Sequence, residues 1–292
     1  MAKQPLILRR ERLGDFTVPA ASGRGLIEID TAKNIHGVKL YLTIAGTAAT
    51  YAEIVAQIGA IRVRVANKLV YDLTATQILD LYHYFNDRTS VVLTDAGVLP
   101  IWFTPYMMPD AREVQQYAIG MLSDGDPSKR NTFSIEVNCT AGPITIDGCE
   151  VQLYTDDETP ATIGYHARWL PYGTTWAAAS MQTLDQIPHE ANALAVLGYH
   201  VHHTAGTLTR LSLTINDYER IRDVSRNMWL QDLNAAQRSP VANYEHIDFG
   251  LANDPEGFLD VSHLVNEYLR LTWGVAPTGY NILVHQLCKN IN

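Results

Sequence analysis

The sequence has little of what most directly announces chemistry. Its three cysteines, Cys139, Cys149 and Cys288, are odd in number and fit no zinc-binding spacing, so a structural zinc site is not expected. Cys139 and Cys149 stand close enough to meet across a hairpin, but buried free thiols are the expectation. No run approaches the ~20 apolar residues of a membrane span, and the N-terminus lacks the continuous apolar core of a signal peptide. A soluble chain, not secreted by that route, is therefore expected. No nucleophile elbow, phosphate loop or dinucleotide fingerprint occurs. Ser180, Asp185 and His189 are close in sequence, but a triad is defined by geometry that proximity does not supply. An enzyme is not expected. Charge is also scarce, with charged residues at 18% against 47% hydrophobic, which is low for a protein whose whole surface meets water. Burial between subunits would account for it. The net charge of −9 argues against sequence-independent nucleic-acid binding over the body of the protein, because phosphate contact needs a basic surface.

Basic residues collect at one end. Residues 1–24 hold Lys3, Arg9, Arg10, Arg12 and Arg24 against only Glu11 and Asp15, with Leu6, Ile7, Leu8 and Leu13 between them. This is a basic, partly amphipathic N-terminal arm, either a solvated terminus or a contact for an acidic partner, a lipid surface or a neighbouring subunit. Lys3, Arg9, Arg10 and Arg12 are its candidate contact residues.

Beyond the arm, alternation takes over. Ile27 and Ile29 flank Glu28; Val38, Leu40, Leu42 and Ile44 alternate with Lys39, Tyr41 and Thr43; Ile61, Val63 and Val65 alternate with Arg62 and Arg64. These are half-buried strands. Thr50 with Glu53, and Thr74 with Gln77, are capping boxes that predict helices, the second with Ile78, Leu81, Tyr82 and Phe85 on one side. Leu99 to Phe103, Ala193 to His203 and Leu208 to Ile215 predict further strands. Asn216 with Glu219 predicts a helix whose buried side is Tyr218, Ile221 and Val224.

Part of the chain repeats. Val114, Tyr117, Ala118 and Met121 match Val261, Leu264, Val265 and Tyr268, and Phe133, Ile135 and Val137 match Tyr280, Ile282 and Val284, always 147 positions apart. In the first copy Asp110 and Glu113 cap the apolar stripe, which predicts a helix, a loop and a closing strand in each copy. The strand and helix of residues 61–85 recur from Leu208, with about eight fewer residues between them. The predicted class is all-β with short helices in connections, arranged as two tandem eight-stranded jelly rolls. The expected divisions are the arm at 1–24, a first roll at 25–157 and a second at 158–292.

The order Gly25 to Ile29, Ile61 to Val65 with the helix through Leu79, Leu208 to Ile215 with the helix from Asp217, and the strand Tyr280 to Val284 resembles the major capsid protein of corticovirus-type, membrane-containing icosahedral phages. The segment Tyr172 to Thr175 through Leu184 to Pro188, followed by the strand with His200 and His202, is similar to the opening of that family's second roll. The resemblance implies a homotrimer whose six rolls imitate a hexagon. It also implies contacts with neighbouring capsomers and other capsid proteins, a shell over an internal lipid membrane, and assembly in the host cytoplasm; lipid remains one of the arm's open partners. The turn at Ala66 to Leu73 and the arm are where this sequence departs from the family.

Two groups of residues are candidate ligands. His200 and His202 share a face on a strand, with His203 beside them; a metal site normally needs further ligands that the sequence does not name. The alternatives are ordinary strand histidines or a pH-sensitive subunit contact that loosens near pH 5.5. The acidic turns Asp124 to Asp126 and Asp156 to Glu158, with Asp156 and Asp157 as candidates, suit calcium in their oxygen chemistry but not in their spacing, and solvated turns are the other reading. Two further functions stay open: a carbohydrate-binding or hydrolytic β-sandwich, with tryptophan and tyrosine along a groove, and a virion spike or receptor-binding protein. The five tryptophans are expected to be core or interface anchors.

Overall fold

A computed structural model of the chain describes residues 9–16, 18, 22–31, 33–86, 97–104, 117–122, 130–140, 146–156, 165–173, 179–185, 187–251, 257–279 and 281–290. In chain order come β1 (Arg9–Phe16), β2 (Arg24–Ile29), β3 (Asn34–Ile44), β4 (Thr47–Ala48), α1 (Tyr51–Gln57), β5 (Ile58–Val65), β6 (Lys68–Thr74), α2 (Ala75–Asn86), β7 (Val98–Trp102), β8 (Phe133–Cys139) and β9 (Gly148–Asp156). Then follow β10 (Tyr165–Gly173), β11 (Met181–Leu184), β12 (Ala193–His202), β13 (Ala205–Ile215), β14 (Tyr218–Ser225), α3 (Arg226–Ala235), β15 (Tyr244–Asp248), β16 (Leu259–Asp260), β17 (Glu267–Thr278) and β18 (Asn281–Lys289). Two compact units divide the chain, one of Met1–Tyr82, Thr89–Trp169 and Lys289–Asn292, the other of His83–Arg88 and Leu170–Cys288. The division falls inside β10, whereas the sequence places it near Asp157, which lies outside the described residues.

In the first unit the chain alternates between two sheets. One has the order β1-β9-β3, with β7 and β4 on β3, and the other the order β6-β5-β8-β2. Alternation in the sequence fixes which face is inside: Ile61, Val63 and Val65 of β5 are buried, as are Val38, Leu40 and Leu42 of β3. Each such side chain contributes about 1.5–3 kcal/mol of burial. The sheets meet through aromatic edges, with Phe103 5.8 Å from Phe133 and 6.4 Å from Tyr71. Both expected capping boxes form. Thr50 Oγ1 accepts from Glu53 N while Glu53 accepts from Thr50 N at 2.7 Å, and Gln77 and Thr74 exchange the same pair of bonds around the start of α2. Asn290 also belongs to this unit, where its Oδ1 accepts from His166 Nδ1 at 3.1 Å.

The second unit repeats the pairing. β12 lies between β15 and β18 as β3 lies between β7 and β9, and the order β14-β13-β17-β11 matches β6-β5-β8-β2. This is the winding of a jelly roll, made twice. The repeat is closest in the hairpins. Val63 pairs with Tyr71, and Leu213 with Ile221; Val65 pairs with Lys68, and Ile215 with Tyr218. From Val63 to Tyr71 every counterpart lies 150 positions later, including a bulge that leaves Val70 in one hairpin and Arg220 in the other without a cross-strand partner.

Three expectations change. The stretch after Asn216 is a strand: Asn216 and Asp217 are both left-handed, with φ of 49° and 64°, making a two-residue hairpin turn, and the helix begins only at Arg226, capped by Ser225. The repeat of 147 joins strands of different rank, because β8 lies between β5 and β2, and the strand in that place in the second unit is β17, whereas β18 pairs with β12. The expected repeated helix is not a repeat either. Tyr117 and Ile119 sit in isolated bridges, Val261 to Leu264 form a turn and Tyr268 is in β17, while Asp110 to Gln116 lie outside the described residues. All three cysteines are buried free thiols.

Candidate functional site

The basic residues of the arm enter the first sheet. Arg9, Arg10 and Arg12 lie in β1, opposite Thr155, Tyr154 and Gln152 of β9, and Arg12 Nε is 3.2 Å from Glu150. Lys3 lies outside the described residues. Arg12 and Leu13 are exposed.

Asp156 ends β9 in a buried position. Its Oδ1 accepts from Asn34 Nδ2 at 2.8 Å and its Oδ2 contacts His36 Nε2, all three residues being fully enclosed. The carboxylate therefore serves an internal polar knot, and Asp157, its expected companion for calcium, lies outside the described residues. Asp124 to Asp126 do as well.

His200 and His202 share a face of β12, as the sequence predicts, and the neighbouring strand answers them. Opposite His202, His200 and Gly198 stand Tyr244, His246 and Asp248 of β15. His200 Nδ1 and His246 Nδ1 are 2.7 Å apart, so one ring donates and the other accepts, and both are neutral. His246 is stacked by Tyr84 at 3.8 Å and lies parallel to Tyr244 at 5.4 Å; His285 of β18 comes within 6.4 Å of His200. Burial pushes His200 down to about 3, helped by Arg238, and holds His246 and His285 well below the usual imidazole range, helped by His200. Tyr84 donates to Asp248 at 3.2 Å, and Arg238 Nε donates to the same carboxylate at 2.8 Å. Gly198 is needed beside this cluster, since a Cβ there would stand 2.9 Å from Ile247 O and 3.2 Å from His200 Nε2. A ring fully enclosed in its own roll is not a subunit contact, so the pH-sensitive contact is not located at His200. Among the described residues no group of three or more His, Cys, Asp or Glu is arranged to hold a metal ion. His246 and His285 escaped sequence reasoning because they come from other strands, and only strand register brings them together.

The outer sheet faces differ between the rolls. On the first, Asp72, Arg62, Glu136 and Arg24 form a ladder of ion pairs across four strands, at 3.2, 3.5 and 2.5 Å. On the second, Arg270 stands where Glu136 stands, opposite Ser212 in place of Arg62. A shallow depression of about 640 Å³ opens there, lined by Thr214, Tyr218, Glu219, Arg222, Tyr268 and Arg270. None of the described tryptophans lines it: Trp169, Trp229 and Trp273 are buried, and Trp102 is half-buried against Tyr154 of the first unit.

No protein-family model and no curated protein matches the sequence. Among solved structures the likeness runs from end to end. The major capsid protein P2 from bacteriophage PM2 matches with a TM-score of 0.77 at 12% identity, over 98% of this chain and 99% of that one. The MCP of STIV, Sulfolobus turreted icosahedral virus, matches at 0.62 and 13%, over 97% of each chain. The PBCV-1 virus capsid matches at 0.60 and 10%, over 99% and 95%. These likenesses show the fold: the chain is a double jelly roll, as the strand pairing of its two units also states.

Proposed function

We propose that this chain is a major capsid protein, a structural subunit of a virion shell. The observation that carries the reading is the match over nearly the whole of both chains to the major capsid protein of bacteriophage PM2, joined to the duplication of one strand order within this chain. Two similar rolls per chain give three chains six similar blocks, which fill a near-hexagonal tile, so the proposed building unit is a homotrimer that packs against neighbouring capsomers in an icosahedral lattice. Closed symmetric association is the common route for identical chains. The scarcity of charge, 18% of residues, suits surfaces that are covered in the assembly. Lys3, Arg9, Arg10 and Arg12 are the proposed contacts with the acidic headgroups of a membrane beneath the shell.

Light scattering on the purified protein tests the reading. The expected mass is three times the 32.5 kDa of one chain, with hexagonal tiles visible by electron microscopy at high concentration. A protein that stays monomeric at high concentration overturns it. Lipid contact is checked separately by flotation with anionic and neutral vesicles, where Arg9→Ala/Arg10→Ala is expected to lose the anionic-vesicle fraction only.

A further inference from the structure

The same strand edge is treated differently in the two rolls. In the first unit, the edge of β6 that faces away from β5 is met by β10, where Trp169 pairs in parallel with Tyr71. Both side chains are 1% exposed, and Val70 beside them is fully buried. In the second unit the counterpart of β6 is β14, with Ile221 in the place of Tyr71 and Arg220 in the place of Val70. Among the described residues no strand covers the outer edge of β14. Tyr218, Glu219, Arg220, Arg222 and Asp223 are exposed along it, Tyr218 by 74%.

An open edge eight residues long is a template for another strand unless it is blunted. β14 has no proline and no lysine; it carries four charged residues, and its bulge at Arg220 has a counterpart at Val70 of β6, which β10 meets all the same. The strand that would fit is indicated by the first unit. The second unit resumes at Leu170, inside β10, and β10 precedes its strands β11 to β18 in chain order as β1 precedes those of the first unit, so the counterpart of β10 is β1. Among the described residues β1 pairs on one side only, with β9, and ends its sheet.

We infer that the outer edge of β14 is the docking site for β1 of a second copy of this chain, the two strands running parallel, so that Ile221 receives from a neighbour what Tyr71 receives from Trp169. This contact is heterologous, with a different surface on each side, and it closes on itself only in a ring. It rests on the proposed capsomer, for which it names the joining strands.

Engineered disulfides test it. Cys139, Cys149 and Cys288 are buried, so a thiol placed on either strand is the accessible one. Leu13→Cys is combined in turn with Arg220→Cys, Ile221→Cys and Arg222→Cys, and the assembled protein is oxidised. Covalent chains of two and three subunits are expected from at least one combination and from none of the single variants, within the geometry a disulfide allows. Amide exchange in the unmodified oligomer gives a second reading that no substitution can disturb, with β14 expected to exchange as slowly as β6. A trimer of the right mass that gives no cross-link in any combination and exchanges freely along β14 overturns the β1–β14 contact and leaves the shell function standing. A protein that is only monomeric overturns both.

Discussion

At His246 the imidazole lies between two tyrosine rings and bonds to a second imidazole, which fixes how the second roll responds to acid. The folded-state pKa of His200, His246 and His285 lies below the unfolded value of about 6.5. Their contribution to stability is therefore complete above that value and is lost as the pH falls towards the folded one, about 3 for His200. Each histidine adds up to about 1.4 kcal/mol per pH unit across that window. The urea midpoint is expected to fall between pH 7 and pH 4.5, and a flat midpoint over that range would remove the argument. Close by, Arg238→Met is expected to cost about 3–5 kcal/mol in chemical denaturation, because it leaves the Asp248 carboxylate buried and without its cation. The sequence displayed His200 and His202 through their spacing in one strand. It concealed their setting, since Tyr84, His246 and His285 reach the cluster from α2, β15 and β18 through the sheet pairing.

At the scale of elements, the sequence told strands from helices well where one physical signal acted alone. Period-2 runs became β3, β5 and β13, and reciprocal Thr–Glu and Thr–Gln caps opened α1 and α2. The reading of Asn216 went astray because asparagine suits two places: it caps helices, and it tolerates the left-handed backbone of a two-residue hairpin turn. Glu219, three residues on, completed a capping pattern, yet it pairs with Thr214 in the strand ladder. Tertiary contacts decide the matter. Asn216 Oδ1 accepts from Val265 N at 2.8 Å and its Nδ2 donates to His263 O at 2.8 Å, tying the hairpin to the turn that precedes β17. Asn216→Ala is expected to cost about 1–3 kcal/mol, from lost bonds and a strained φ together, with faster amide exchange at Val265 as the local signature. Had Asn216 been a helix cap, Val265 would be unaffected. The equal spacing of 147 misled for a related reason, because period-2 strands resemble one another wherever they lie, and only their partners give them rank.

For the molecule as a whole, duplication was legible and its register was not. The two rolls share pairing order, hairpin turn and bulge at an offset of 150, and then diverge where Asp223, with a left-handed φ of 42°, adds one residue before α3. The first unit also draws on the far end of the chain, through the bond from His166 to Asn290. A chain stopped after Cys288 is expected to keep the secondary structure of the second unit while the first melts at a lower temperature, as read by thermal denaturation followed through exchange at Ile119 and Ala167. A chain emerging from the ribosome thus forms the His166–Asn290 bond only after its second unit has been made. Any product of interrupted translation then lacks Asn290 and leaves the enclosed His166 ring without that hydrogen bond.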